Sequence, residues 1–222
     1  MEAIILDTET SGMGEDAEVM QLAYVELDAR FYEVGNAFQA YYQPTRPVGF
    51  GALATHHITP EQLRINGAFT TPPLAPPASY YIGHNVDFDW KALGSPPEVK
   101  RICTLALARW IWPDMDSHSL GACCYKISED VELTRMRLRE AHNALADVLL
   151  CSELLGWIVR EKQVADVHSL WLLSEMARIP TIMTFGKHKG ERIVDIPRHY
   201  KTWALKQPDF DEYVLKAFRS TM

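Results

Sequence analysis

Two carboxylates, Asp7 and Glu9, stand two positions apart where the apolar run Ala3-Ile4-Ile5-Leu6 ends in Thr10-Ser11-Gly12. On a strand, alternate side chains share a face, so both acids point the same way. Enclosed side by side they repel each other, and a bound cation relieves that repulsion; metal binding is the chemistry the pair implies. A solvated turn at a strand end is the plainer reading of the pair alone. Two more segments change the balance. In His84-Asn85-Val86-Asp87-Phe88-Asp89 the acid follows the buried-strand run 80–83, and in His142-Asn143-Ala144-Leu145-Ala146-Asp147 a histidine precedes a helix that carries an aspartate. Taken singly, Asp87, Asp89 and Asp147 could serve only as favourable charges at helix N-termini, and His142 as a surface or capping residue. Three such segments, each attached to a fitting strand end or helix start, point jointly to one site.

The elements that must position these residues are readable. After the first strand, 19–27 and 35–43 carry β-branched and aromatic residues in partial alternation and predict two further strands, a meander of three. Thr59-Pro60-Glu61-Gln62 predicts a helix start, with a capping residue, proline at the first helical position and glutamine three residues after the cap. The proline-rich stretch 71–77 can be neither helix nor central strand and is a surface connection. Tyr80 to Gly83 reads as a short buried strand feeding a helix from about Val86, which puts Asp89 near the carboxyl edge of a sheet, where ligands of open α/β folds bind. Arg101 to Cys103 and Thr104 to Trp112 repeat the strand-to-helix plan, so the expected class is α/β. From Pro113 to Glu140 we expect a short helix and a mobile loop. A long helix is predicted from Asn143 to Lys162, with Leu145, Val148, Leu149, Ser152, Leu155 and Val159 at helical spacing. Another stretch runs from 167 to 179 and ends at Pro180.

Composition narrows the function classes. The 222 residues are nearly half apolar, enough for one substantial core and a smaller second unit. No apolar run reaches the ~20 residues of a membrane span, and the opening Met1-Glu2-Ala3 lacks the layout of a signal peptide, so no membrane partner is expected and the expected location is the cytoplasm. Cys103, Cys123, Cys124 and Cys151 have no C-x-x-C spacing and predict inert thiols. The net charge of −7 counts against a nucleic-acid partner held by surface charge. Its distribution softens the objection: residues 1–179 carry 14 Lys+Arg against 24 Asp+Glu, and residues 180–222 carry 8 against 5.

Taken as a set, the segments 7–12, 54–59, 83–89 and 142–147 resemble the DEDDh branch of the 3′-to-5′ exonucleases, related to the proofreading subunit of bacterial DNA polymerase. The resemblance implies an RNase H-like mixed five-stranded sheet flanked by helices over residues 1–165, a connecting helix over 166–179 and a small basic module over 180–222. It implies that Asp7, Glu9, Asp89 and Asp147 hold two Mg²⁺ or Mn²⁺ ions, hard cations that suit oxygen ligands, and that His142 takes a proton from the attacking water. Imidazole, with an ordinary pKa of ~6.5, suits that task. Thr10, Ser11, Met13, His56 and Asn85 match positions that line the substrate in the family, with Met13 as a wedge against the last base; for His56 and Asn85 a capping or structural role is an equal reading. The implied partner is a DNA 3′ end, single-stranded or duplex, with RNA trimming as one alternative and an accessory binding module as another. Met13 stands where the family usually has leucine, which removes no metal ligand.

The last segment carries Thr184-Phe185-Gly186-Lys187-His188-Lys189-Gly190, then Asp195-Ile196-Pro197 and Tyr200-x-x-Trp203. It looks like the carboxyl-terminal module of one exodeoxyribonuclease of that family. Lys187, Lys189, Arg192, Arg198 and Lys201 are candidates for phosphate contacts that tether DNA, with Tyr200 and Trp203 expected in a small core.

Overall fold

The computed structural model describes every residue except Glu15 and Ala141, together with the side chain of Glu140. Five strands form one mixed sheet: β1 (Ala3–Thr10), β2 (Val19–Leu27), β3 (Glu33–Tyr41), β4 (Tyr80–Gly83) and β5 (Lys100–Cys103), in the order β3-β2-β1-β4-β5. The first three are the antiparallel meander expected, while β4 and β5 run parallel to β1. This is the RNase H-like arrangement. β1 lies at its centre, where an antiparallel half meets a parallel half. Its carboxyl end is therefore the natural place for a ligand.

Alternation along β1 decides what lies on each face. Ile4 and Leu6 pack into a cluster with Leu22, Tyr81, Val86 and Leu93. The intervening positions Ala3, Ile5, Asp7 and Glu9 face the other side. Between β3 and β4 run α1 (Phe50–His56) and α2 (Pro60–Ile65). α2 begins with the full capping box: the Thr59 hydroxyl accepts from the Gln62 N–H, and the Gln62 side chain accepts from the Thr59 N–H. β4 leads into α3 (Asp87–Ala92), and β5 into α4 (Thr104–Ile111). Gly83 closes β4 against β1. A Cβ there would stand 3.1 Å from the Leu6 carbonyl oxygen and 3.3 Å from Val86 Cβ, tight enough that the neighbours would have to give by a few tenths of an ångström.

The stretch expected to hold a short helix and a mobile loop forms two helices: α5 (Leu120–Ile127) is the expected short one, and α6 (Val131–Arg137) stands where a loop was expected. Each has its own cap: Ser119 accepts from Ala122 N–H, and Asp130 from Leu133 N–H. The long helix α7 (Ala144–Glu161) starts at Asn143 and packs on β1. Its buried face is Val148, Cys151, Leu154, Leu155 and Ile158, whereas Leu149, part of the predicted apolar set, is exposed. All four cysteines are buried free thiols.

The chain divides into two compact units, 1–174 and 175–222, with the division inside α8 (Val167–Ala177). The second unit contains a bridge between Ile182 and Arg192, then α9 (Arg198–Ala204) and α10 (Glu212–Ser220). Its core is Met183, Ile193, Ile196, Ala204, Val214, Ala217 and Phe218. Lys201, expected at the surface for phosphate contact, is 2 % exposed, and its ammonium donates to the Thr221 carbonyl and hydroxyl. Trp203, expected in the core, is half exposed. Among the described residues no helix is long and apolar enough to cross a membrane.

Candidate active site

The carboxyl end of β1 brings Asp7 and Glu9 onto the face covered by α7, and the first turn of α7 supplies Asp147. Asp89 arrives from α3, the helix that leaves the neighbouring strand β4. Thr8 receives it there: the Thr8 N–H and hydroxyl both donate to Asp89 Oδ1, at 2.8 and 2.7 Å. α3 carries a second acid with a different fate. Asp87 is 2.6 Å from the Arg101 guanidinium and is thereby neutralised, while Asp89 is only 3 % exposed and has no lysine or arginine partner among the described residues.

Burial without a cation shows in the protonation of the group. Glu9 is pushed up to about 8, first by desolvation and then by the charges of Asp147 and Asp89. Desolvation drives Asp89 up to about 7 against the lowering effect of its bonds to Thr8. Asp7 is raised well above the carboxylate range by burial and by Asp89, Asp147 and Glu9. Asp147 is raised by burial, with the His142 N–H and ring charge acting in the opposite sense. Burial raises the proton affinity of all four acids, and their mutual repulsion adds to it at Asp7, Glu9 and Asp89, in a space where the described residues place no lysine or arginine against them. A divalent cation answers that electrostatic need, and the ligand atoms of Glu9, His142 and Asp147 lie within 4.8 Å of one another. All five expected residues therefore meet at one sheet edge. The trio whose ligand atoms lie within 4.8 Å contains His142 and not Asp7 or Asp89, so the ring stands within ligand distance of Glu9 and Asp147.

His142 itself is exposed, in the left-handed region with φ of 65°, and its N–H donates to Asp147 Oδ2 at 3.1 Å. Asn143 then caps α7 by accepting from Ala146 N–H. Around them the expected substrate positions differ in availability. Met13 is 85 % exposed just beyond β1. Asn85, also at positive φ (80°), is exposed at the end of β4. Thr10 is buried and its hydroxyl donates to the Gly12 carbonyl. The Ser11 hydroxyl accepts from Glu18 N–H. His56 has both ring nitrogens engaged: Nδ1 accepts from Ile58 N–H at 2.9 Å, so Nε2 carries the proton and donates to the Thr10 carbonyl at 3.2 Å. Burial lowers its proton affinity. What His56 does here is hold the Thr10 backbone. His84 is likewise a brace, driven down to about 4 by burial, with Nε2 on the His118 carbonyl and Nδ1 by the Thr104 hydroxyl.

Two positioning residues escaped the sequence reading. Thr8 is one, hidden as a mere strand residue between the two acids. Gln21 is the other. It pairs with Glu9 across β1 and β2, is wholly buried, and accepts from the Ala144 N–H at 3.0 Å, which ties the first turn of α7 to the sheet. Its Nε2 has no hydrogen-bond partner among the described residues. A polar side chain at a central position of a predicted buried strand was the available signal.

Comparison with known proteins agrees with this geometry. The RNase_T family model, described as Exonuclease, matches residues 4–155. The chain is 29 % identical over 176 residues to the DNA polymerase III subunit epsilon of Buchnera aphidicola, spanning 69 % of each protein. A structure of Exonuclease X in complex with 5′ overhanging duplex DNA aligns with a TM-score of 0.53 at 25 % identity, over 72 % of this chain and 93 % of that one. E. coli Exonuclease I in complex with a dT13 oligonucleotide shares the fold, with a TM-score of 0.55 at 18 % identity over 72 % of this chain and 41 % of that one. The chain belongs to the exonuclease family.

Proposed function

We propose that this enzyme removes nucleotides from the 3′ end of DNA, releasing nucleoside 5′-monophosphates by metal-dependent hydrolysis. The observation that carries the reading is the convergence of Asp7, Glu9, Asp89 and Asp147, all with raised proton affinity, beside a solvent-facing His142. In this reading the four carboxylates hold two Mg²⁺ or Mn²⁺ ions. When bound, such ions activate the attacking water and stabilise the leaving 3′ oxygen in an in-line displacement. The chain's own groups do the rest. His142 accepts the proton of the water, and its exposure lets it pass that proton to solvent. Thr8 holds Asp89 as an ionised ligand through two hydrogen bonds. The backbone at Glu9 and Thr10, braced by His56, is placed to meet the terminal hydroxyl, and Met13 to wedge against the last base, with a thioether that adapts to different bases.

DNA is preferred over RNA as the substrate because similar structures are exonucleases bound to DNA, Exonuclease X on a 5′ overhanging duplex and Exonuclease I on a dT13 oligonucleotide, and a relative in sequence is a DNA polymerase subunit. The test is stepwise shortening of 5′-labelled single-stranded DNA, duplex DNA and RNA of one sequence, with Mg²⁺ and with EDTA. We expect a ladder shortened from the 3′ end on DNA, abolished by EDTA, and lowered ~10³-fold or more by Asp7→Ala. His142→Ala should cost ~10² to 10⁴-fold. Full activity in either purified variant, or a strong preference for RNA, would sink the reading.

A further inference from the structure

The second unit carries a strip of aromatic rings whose middle, Tyr200 and Phe210, packs on the core and whose ends, Phe185 and Trp203, lie outside it. Phe185 and Phe210 lie 5.3 Å apart between ring centroids, Phe210 and Trp203 6.2 Å apart, and Tyr200 backs Trp203 at 5.2 Å. The hydrophobic positions beneath are filled by Met183, Ile193 and Phe218. The two ends of the strip stay in solvent, Trp203 at 50 % and Phe185 at 39 % exposure. So small a unit would bury its largest rings if packing were their only use, and exposed aromatic patches mark interaction sites.

The cations sort themselves around that strip. Lys201 is buried on Thr221, Lys216 pairs with Glu175, and Arg192 lies 3.7 Å from Asp195. Lys187, Lys189 and Lys206 are exposed and have no acidic partner among the described residues. The first two stand two and four positions from Phe185, in a loop closed by Met183 N–H to the Glu191 carbonyl and Gly190 N–H to the Met183 carbonyl. Gly186 and Gly190 turn that loop at φ of 70° and 88°, a conformation other residues resist. Lys206 follows Trp203 by one turn, its N–H on the Trp203 carbonyl. Asp209, exposed beside Phe210, disfavours a phosphate at that point and leaves the ring to a base.

We propose that the strip from Phe185 through Phe210 to Trp203 binds single-stranded DNA, its rings stacking on unpaired bases while Lys187, Lys189 and Lys206 meet the phosphates. Charge complementarity selects this occupant. Residues 175–222 carry 9 Lys+Arg against 6 Asp+Glu, whereas residues 1–174 carry 13 against 23, so the catalytic unit repels the polyanion it would cut. Bases in a duplex hide their faces, so stacking requires a single strand. The proposal rests on the reading of the enzyme as a DNA exonuclease and adds a second, non-catalytic contact to it.

Binding of fluorescein-labelled (dT)20 to the full chain, followed by anisotropy in EDTA across a range of salt, tests the proposal without hydrolysis. F185A/W203A should weaken binding by roughly 10-fold or more, with the slope of log K against log salt unchanged. K187A/K189A/K206A should lower that slope by about 2. W203F, which keeps a ring, should retain most of the affinity and guards against loss of fold in the double variant. Unchanged affinity in F185A/W203A, or an equal loss on blunt duplex, would overturn the proposal. Hydrolysis of the p-nitrophenyl ester of thymidine 5′-monophosphate, too small to reach a second contact, should be the same in all these variants. Absence of that hydrolysis in the unaltered protein would count against the catalytic reading instead, and leaves the binding result to stand by itself.

Discussion

The two units bury charge in opposite ways. In the second, Lys201 is almost fully enclosed, and its ammonium is satisfied on the spot by the Thr221 carbonyl and hydroxyl at 3.2 and 2.9 Å. In the first, Glu9 and Asp89 are enclosed nearly as far, yet the groups nearest them include other carboxylates. A buried charge costs several kcal/mol unless it is paired or hydrogen-bonded. The lysine meets that cost from within the fold. The acids leave much of it to a partner from solution, and this is the physical mark that separates a structural charge from a functional one.

The contrast can be broken most severely at Asp89. Asp89→Asn keeps a side chain of the same shape and removes a charge that repels Asp7 and Glu9; nuclease activity should fall ~10³-fold or more, while the metal-free protein melts at an equal or higher temperature. A loss of stability together with activity would show Asp89 to be a structural charge after all. Gln21→Leu attacks the frame instead of the ligands. It frees the Ala144 N–H and loosens the first turn of α7, so kcat should drop ~10- to 100-fold with KM little changed, a split that steady-state kinetics resolves. Lys201→Met should do the reverse of both. Leaving Thr221 without its donor should cost about 1 to 3 kcal/mol of stability by denaturant titration, with hydrolysis of a small nucleotide ester untouched.

The smallest effect, and the one that sharpens the comparison most, is a pH ramp. Glu9 and Asp89 bind protons more tightly folded than unfolded, holding them up to about 8 and about 7. Stability from these groups is therefore complete below the ordinary carboxylate range of ~4 and is lost as pH rises through 7 to 8. In EDTA the melting temperature should fall by a few degrees between pH 5 and pH 8, and added Mg²⁺ or Mn²⁺ should restore more at pH 8 than at pH 5. Calorimetry that finds no such dependence would remove the electrostatic argument for the site.

Much of this was legible in the chain because local rules and the fold agree. Thr59 and Gln62 announced α2, and Asn143 announced α7, since a cap is a few adjacent residues deciding a few hydrogen bonds. The acids were legible for a similar reason: each sits where a strand or helix begins or ends. What stayed hidden depends on distant partners. Asp87 and Asp89 look alike in sequence, and only Arg101, on the next strand, tells them apart. α5 and α6 lack a long apolar stripe, so their caps at Ser119 and Asp130 could not be weighed without the surface they cover. Trp203 read as core because tryptophan usually is; the six smaller or more flexible side chains and the Phe218 ring that crowd the interior of the unit left it outside.

Gly83 brings these strands together in one further respect. The acids of β1 and the segment that delivers Asp89 approach each other across the β1–β4 pair, and a methyl group at residue 83 would press on the Leu6 carbonyl at 3.1 Å and ask that pair to give by a few tenths of an ångström. The width of the acidic cleft is thus gauged by an absence in the backbone and not by the reach of the ligands. A side chain at residue 83 would therefore alter the spacing of the four carboxylates without touching any of them.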